Sequence, residues 1–244
     1  MAANQEPIGL VDLTVYLRLF STMISAGVSL VRCLHVLDQS IAYEPLKEAN
    51  LQVRAAIEGG ETLSNSMCAH PHLFTPFLIG LVRAGEIGGV LDDTLQRAAN
   101  FYARQLEHRR QRFIQYATAQ VLGHEYEEQY ERAMGELQDT LLIEYFCYMF
   151  GTMLGSGVPL VQAMEVGAVS LPERLQRGVM QAREAVREGE SIGPALVVAG
   201  FPAHVVMMFT IGEETGALDR MALRAGDLLE AQVEGRLQVA LGLN

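Results

Sequence analysis

Tryptophan is absent from the 244 residues, lysine occurs once, at Lys47, and there are only three cysteines. Each scarcity removes a class of function. A phosphate-binding loop of the Gly-x-x-x-x-Gly-Lys-Ser/Thr type needs a lysine behind glycines, and Lys47 is followed by Glu48 with no glycine loop before it. Nucleotide hydrolysis through such a loop is excluded. Cys33, Cys68 and Cys147 are odd in number and unrelated in spacing, so neither a disulfide framework nor a zinc knuckle follows. They read as small core hydrophobes in a reducing, cytoplasmic environment. The formal charge is −11 and no stretch forms a basic stripe, so nucleic acid lacks its electrostatic footprint here. No cofactor-binding motif occurs.

Alternating runs of β-branched residues are also missing. Half the residues are hydrophobic, with Ala, Leu, Met, Gln, Glu and Arg prominent, a helix-forming composition. The chain reads as all-α. The Met1–Pro7 segment is polar and lacks the basic-then-apolar order of a signal peptide. One stretch, Tyr145 to Met164, runs 20 residues without a charge. Gly151, Gly155, Ser156, Gly157, Pro159 and Gln162 interrupt it, which predicts two core helices rather than a membrane span.

What the chain has in quantity is itself, twice. Gly85-Glu86-Ile87-Gly88-Gly89-Val90-Leu91-Asp92 returns 127 residues later as Gly212-Glu213-Glu214-Thr215-Gly216-Ala217-Leu218-Asp219. The spacing predicts a tight corner between a fifth and a sixth helix. Its first glycine would take the left-handed conformation that ends a helix, and Gly89 or Gly216 would permit the turn. Asp92 and Asp219 would open the next helix, where the positive end of the dipole favours them.

Other matches extend the duplication. Leu13, Tyr16, Leu17, Phe20, Met23 and Ile24 repeat as a helical stripe in Ile143, Phe146, Cys147, Phe150, Met153 and Leu154, offset by 130. Gly27 and Gly157 stop these helices, with Ser29 and Pro159 opening the next. A third helix follows Pro45 or Pro172 and ends at Gly59-Gly60 or Gly189. Thr62 and Ser191 then read as N-caps of a short fourth helix, and Phe74-x-Pro76 and Phe201-Pro202 begin the fifth. The predicted architecture is two tandem antiparallel six-helix bundles. Their bounds are a tail at 1–12, a first bundle at 13–110, an acidic helical connector at 111–140 broken near Gly123, and a second bundle at 141–244.

Chemistry finds little to hold it. Gly189-Glu190-Ser191-Ile192-Gly193 fits the letters of a nucleophile elbow, but that motif needs a strand in front and Gln181 to Glu188 is helical. His70-Pro71-His72 reads as a surface loop. Glu86 and Glu213 are either an acidic corner offered to a partner or cation, or acceptors for the free amides of the sixth helix, the reading we prefer. Arg54 and Glu58, with Arg183, Arg187 and Glu188, mark the outer sides of the third helices as a candidate partner face.

The blocks Phe20–Leu30 and Phe150–Leu160, Gly60–Thr62 and Gly189–Ser191, and the two Gly-Glu corners together resemble one known family. They are similar to the F-domain of the inner-membrane platform proteins of bacterial type II secretion and type IV pilus systems. The resemblance implies six-helix cytoplasmic bundles in a non-enzymatic scaffold, with no catalytic residues and no cofactor. It also implies a homo-oligomer that links a cytosolic hexameric assembly ATPase to a growing filament at the cytoplasmic face of the inner membrane. Family members carry membrane spans between and after their two domains; here the acidic connector stands in that place. A soluble adaptor using the same bundles for another cytosolic partner is the alternative.

Overall fold

A computed structural model describes residues 8–242. The Met1–Pro7 segment, read above as a polar tail without signal character, lies outside the described residues. Among the described residues there are thirteen helices and no strand. No described helix is long and apolar enough to cross a membrane. The described residues divide into two compact units, one drawn from 8–106 and 156–158 and one from 107–155 and 159–242.

The first unit contains α1 (Leu10–Ser25), α2 (Leu30–Ser40), α3 (Glu44–Glu58), α4 (Leu63–Cys68), α5 (Pro76–Gly88) and the first half of α6 (Leu91–Leu122). Its core follows the expected stripe: Leu13, Tyr16, Leu17 and Phe20 of α1 are buried, as are Leu95, Ala98, Ala99 and Tyr102 of α6. Met23 and Ile24, at the end of the stripe, are only half-buried. The helix stops at Gly27, whose φ of 77° lets the amide of Val28 reach back to the Met23 carbonyl.

The second unit contains the rest of α6, then α7 (His124–Glu136), α8 (Gln138–Gly155), α9 (Leu160–Ala168), α10 (Glu173–Arg187), α11 (Ile192–Ala199), α12 (Ala203–Glu214) and α13 (Leu218–Ala240). Helices α8 and α13 make its most extensive packing. Close approach is built in: a Cβ on Gly151 would lie 2.8 Å from the Asp219 carbonyl. The uncharged Tyr145–Met164 stretch is the second half of α8, a break at Gly157 with φ 83°, and the start of α9. Pro159 stands at the N-cap of α9 rather than inside its first turn. Ser29 holds the same place for α2 and makes no side-chain cap bond.

The 111–140 stretch, read from its charge as a connector, packs as part of the second unit. Gly123, with φ 118°, breaks α6 from α7 as expected. Ala119, Tyr130 and Leu137 are buried against Val233, Leu237 and Leu241 of α13 and the residue after it. The Tyr130 hydroxyl donates to the Arg112 carbonyl at 3.0 Å. The acidic helix is thus amphipathic, with tyrosines inward and carboxylates outward.

Candidate functional site

The two corners use their glycines differently from the expectation. Gly85 and Gly212 do not end a helix; each sits inside the last turn of α5 or α12 with ordinary helical backbone. The left-handed residues are Gly89 and Gly216, at φ 67° and 65°. Val90 donates to the Gly85 carbonyl at 2.9 Å and Ala217 to that of Gly212 at 2.8 Å, the long return bond of a Schellman closure. That places Gly85 and Gly212 three positions before the cap, where the next helix crosses. A Cβ on Gly85 would meet Thr94 Oγ1 at 2.1 Å and Leu91 Cα at 3.0 Å. One on Gly212 would meet Leu218 Cα at 2.8 Å and Met221 Cβ at 2.9 Å. The first glycine serves contact and the second serves conformation.

The glutamates also act elsewhere than expected. Glu86 Oε1 accepts from the Leu63 amide at 2.6 Å, and Oε2 from the Ser64 amide at 3.2 Å. In the second unit both oxygens of Glu213 accept from the Ile192 amide, at 3.1 Å each. The carboxylates therefore cap the fourth helix of each bundle, α4 and α11, and not the sixth. The reason is electrostatic. Each glutamate lies in the last turn of its own helix, the negative end of that dipole, and needs a positive end beside it. The sixth helices already have Asp92, Asp93 and Asp219 in their first turns.

Thr62 and Ser191 occupy the N-caps as read from sequence, but only one acts as a cap. Thr62 Oγ1 accepts from the Asn65 amide at 3.3 Å, so Thr62 and Glu86 together satisfy the first three amides of α4. Ser191 makes no such bond. The residue three places on is Pro194, which has no N–H to offer. Ser191 follows helix α10 and the left-handed Gly189, at φ 96°, with no strand before it. It has none of the setting of a nucleophile.

The third-helix residues are less free than their exposure pattern in the sequence suggested. Arg54 is bonded to Asp38, and its Nη1 lies 2.9 Å from His35 Nδ1. Arg183 reaches Glu165 at 3.2 Å and Glu184 at 2.5 Å. With side chains 23% and 15% exposed, both guanidiniums tie the third helix to the second rather than facing a partner. Glu58, Arg187 and Glu188 remain exposed.

Two buried polar groups escaped the sequence reading. In the first unit Asn50, fully buried, donates to the Leu34 carbonyl at 2.8 Å and to Asp38 Oδ1 at 2.5 Å, and accepts from the Tyr16 hydroxyl at 2.9 Å. Burial, with the Asp38 charge added, pushes the Tyr16 phenol above its ordinary range. The matching positions in the second unit hold Phe146, Val179 and Ala168, so the network belongs to one copy only. In the second unit His108 lies between Glu144, at 3.2 Å from Nδ1, and Glu230, at 2.7 Å from Nε2. The Tyr148 hydroxyl lies 2.9 Å from a Glu230 oxygen and 3.0 Å from an Asp227 oxygen, so its single proton is shared between the two carboxylates. The signal available in the sequence was Tyr16 and Asn50 standing at apolar positions of the copy alignment.

Among the described residues no three His, Cys, Asp or Glu side chains converge as metal ligands do. His70 and His72 stack edge-on at 6.2 Å, and His70 also packs on Phe74.

The family model for type II secretion system protein F matches residues 16–124 and again 146–243, one match in each half. The chain belongs to the type II secretion system protein F family. Relatives carry the same relation over nearly its whole length. A type IV pilus assembly protein, PilC, of Myxococcus xanthus is 23% identical over 301 residues, covering 93% of this chain and 72% of its own. The type II secretion system protein F of Vibrio cholerae is 22% identical over 307 residues, covering 95% and 76%. That of Pseudomonas aeruginosa is 33% identical over 100 residues, 40% of this chain and 25% of its own. The first two alignments are longer than this chain's 244 residues, so those relatives carry inserted sequence within the matched span. The F family match itself pauses from 125 to 145, over α7 and the first turns of α8. The corner glycines, the carboxylate caps and both third helices all fall inside matched segments.

Proposed function

We propose that this chain is a non-enzymatic platform protein of a type II secretion or type IV pilus-like assembly machine. In this reading it binds the cytosolic assembly ATPase and other machine proteins, associates with further copies of itself, and works at the cytoplasmic face of the inner membrane, held there through partners. The observation that carries the reading is the family match in both halves, with relatives from both kinds of machine aligned over more than nine-tenths of the chain. The charge of −11 supports it, since a field of that sign draws basic protein surfaces toward the chain and speeds their encounter. Glu58, Arg187 and Glu188, at the ends of the third helices, are the exposed remainder of the face read from sequence and the first positions to vary.

The test is a titration of the immobilised full chain with the purified assembly ATPase of its own host at low and high salt. We expect binding that weakens as salt rises, chiefly through slower association. Retention of a different cytosolic protein with the ATPase ignored would replace the platform by the adaptor. Binding indifferent to salt would remove the electrostatic part of the proposal.

A further inference from the structure

Just after α6 enters the second unit, at residue 107, it buries a histidine between two acids. The His108 side chain is 7% exposed and that of Glu144, on α8, 5%. Glu144 lies 3.2 Å from ring Nδ1, and Glu230 of α13 lies 2.7 Å from Nε2. Tyr148, one turn beyond Glu144 on α8, holds its own proton between Glu230 and Asp227. Arg112 of α6 and Glu234 of α13 help to line a cavity of about 30 Å³ that adjoins the ring and both glutamates. Arg104 stands one turn before His108 on α6.

Both ring nitrogens face a carboxylate, and that fixes how many protons the group must hold. Each contact needs a hydrogen between nitrogen and oxygen, since two lone pairs at such distances repel. Neutral imidazole carries only one N–H. The second hydrogen has to be taken up from solution, making the ring an imidazolium or one glutamate a carboxylic acid, two forms of one shared site. Tyr148 cannot supply it, because its proton serves the other oxygen of Glu230 and Asp227. Arginines offset acidic charge without exchanging a proton. The cavity has room for a water, which gives the proton a way in.

The bundle fold does not call for this cluster. At the copy offsets of 130 and 127, Glu144, Tyr148, Asp227 and Glu230 correspond to Thr14, Arg18, Asn100 and Ala103, which include no acid. The corner glutamates, which the bundle does use, recur in both copies. We propose that His108, Glu144 and Glu230 form a proton-held latch that seats the second half of α6 on α8 and α13. With the extra proton bound, the ring ties the three helices together. Without it, one contact sets lone pair against lone pair where burial leaves little water to screen them, and the seat loosens. Helix α7 follows, since Tyr116 and Gln120 donate to Glu127 at 3.1 and 3.2 Å and Tyr130 to the Arg112 carbonyl. An open, solvated set of these groups holds no extra proton above about pH 6.5, while the closed set holds one. The seat therefore weakens as pH rises. The latch goes beyond the platform reading and does not depend on it.

Hydrogen-exchange mass spectrometry of the full chain between about pH 6.5 and pH 9, corrected for the intrinsic exchange rate at each pH, tests it. We expect protection of peptides from 107–136 to fall as pH rises, approaching about tenfold per pH unit, the slope of one proton released on opening. Peptides from α2 and α3 should not follow, because His70 gives the first unit a dependence of opposite sign. Glu144→Gln is the stricter measurement. Its amide N–H supplies the missing hydrogen at every pH, so a neutral His108 satisfies both contacts and protection should persist to pH 9. Glu230→Gln should do the same from the other side of the ring, and far-UV circular dichroism should show both variants folded. A glutamate with only a structural role would instead leave 107–136 loosened at all pH values with the slope intact, which would overturn the latch. Wild-type protection that stays flat across the range would overturn it without recourse to any variant. The ATPase titration judges the platform reading separately.

Discussion

The Glu86 carboxylate accepts the amide of Leu63, 23 residues before it, at 2.6 Å. This bond joins the last turn of α5 to the first turn of α4, two ends that a short loop alone would leave free. Glu213 makes the equivalent closure to Ile192 in the second unit. Removing either acceptor leaves partly buried helix amides without partners. We expect Glu86→Ala and Glu213→Ala each to destabilise the chain by about 1–3 kcal/mol. Glu86→Ala should lose more, since it strips two amides against one. Denaturant melts compare the two, and unmoved midpoints together with lost partner binding would make the glutamates contact residues instead.

The corner glycines should separate by mechanism. Gly89→Ala places an ordinary residue at φ 67°, a strain of about 1–2 kcal/mol. Gly85→Ala drives a methyl into Thr94 and the backbone of Leu91, where only part of the clash can relax, so its cost should be larger. Adding Thr94→Ala to Gly85→Ala should recover part of the loss and do nothing for Gly89→Ala. Thermal melts of the four variants check the pattern.

Asn50 is the centre of a buried polar network that links α1, α2 and α3. Asn50→Val imitates Val179 of the second unit but leaves the Tyr16 hydroxyl, the Leu34 carbonyl and Asp38 short of a partner. We expect a loss of about 2 kcal/mol or more. Adding Tyr16→Phe and Asp38→Ala completes the apolar set seen as Phe146, Val179 and Ala168, and should return part of it. If the triple variant is worse than the sum of its parts, the network is not the reason these residues stand together.

His70 gives the first unit a pH dependence. Burial, and then the neighbouring His72, lower its pKa from the ordinary histidine value, so the unfolded chain binds this proton more readily than the folded one. The stability it contributes is fully present above the unfolded value of about 6.5 and is lost as pH falls below it. We expect melting temperature to drop between pH 7.5 and pH 5.5, and the drop to shrink in His70→Gln. An unchanged slope in that variant would assign the dependence to other groups.

How far the sequence reaches depends on whether a feature is local. The helical class, the glycine stops, the Gly123 break and the duplicated corners were legible because each is fixed by residues within a turn or two of one another. Helix propensity, left-handed glycine and apolar period act at that range. The family match in both halves follows the same blocks. The partners of the long side chains were not legible. Glu86 could have capped α6, which is next to it in the chain, yet it caps α4, because the bundle sets the positive end of α4 beside the end of α5. Arg54 and Arg183 looked like surface residues from their helical phase alone, and the neighbouring helix claimed both. The connector looked like a charged spacer until α13 supplied a wall for Tyr130 and Leu137. A sequence states which groups need partners, and packing selects which distant group satisfies each, since a buried amide or charge takes whatever the fold brings within about 3 Å.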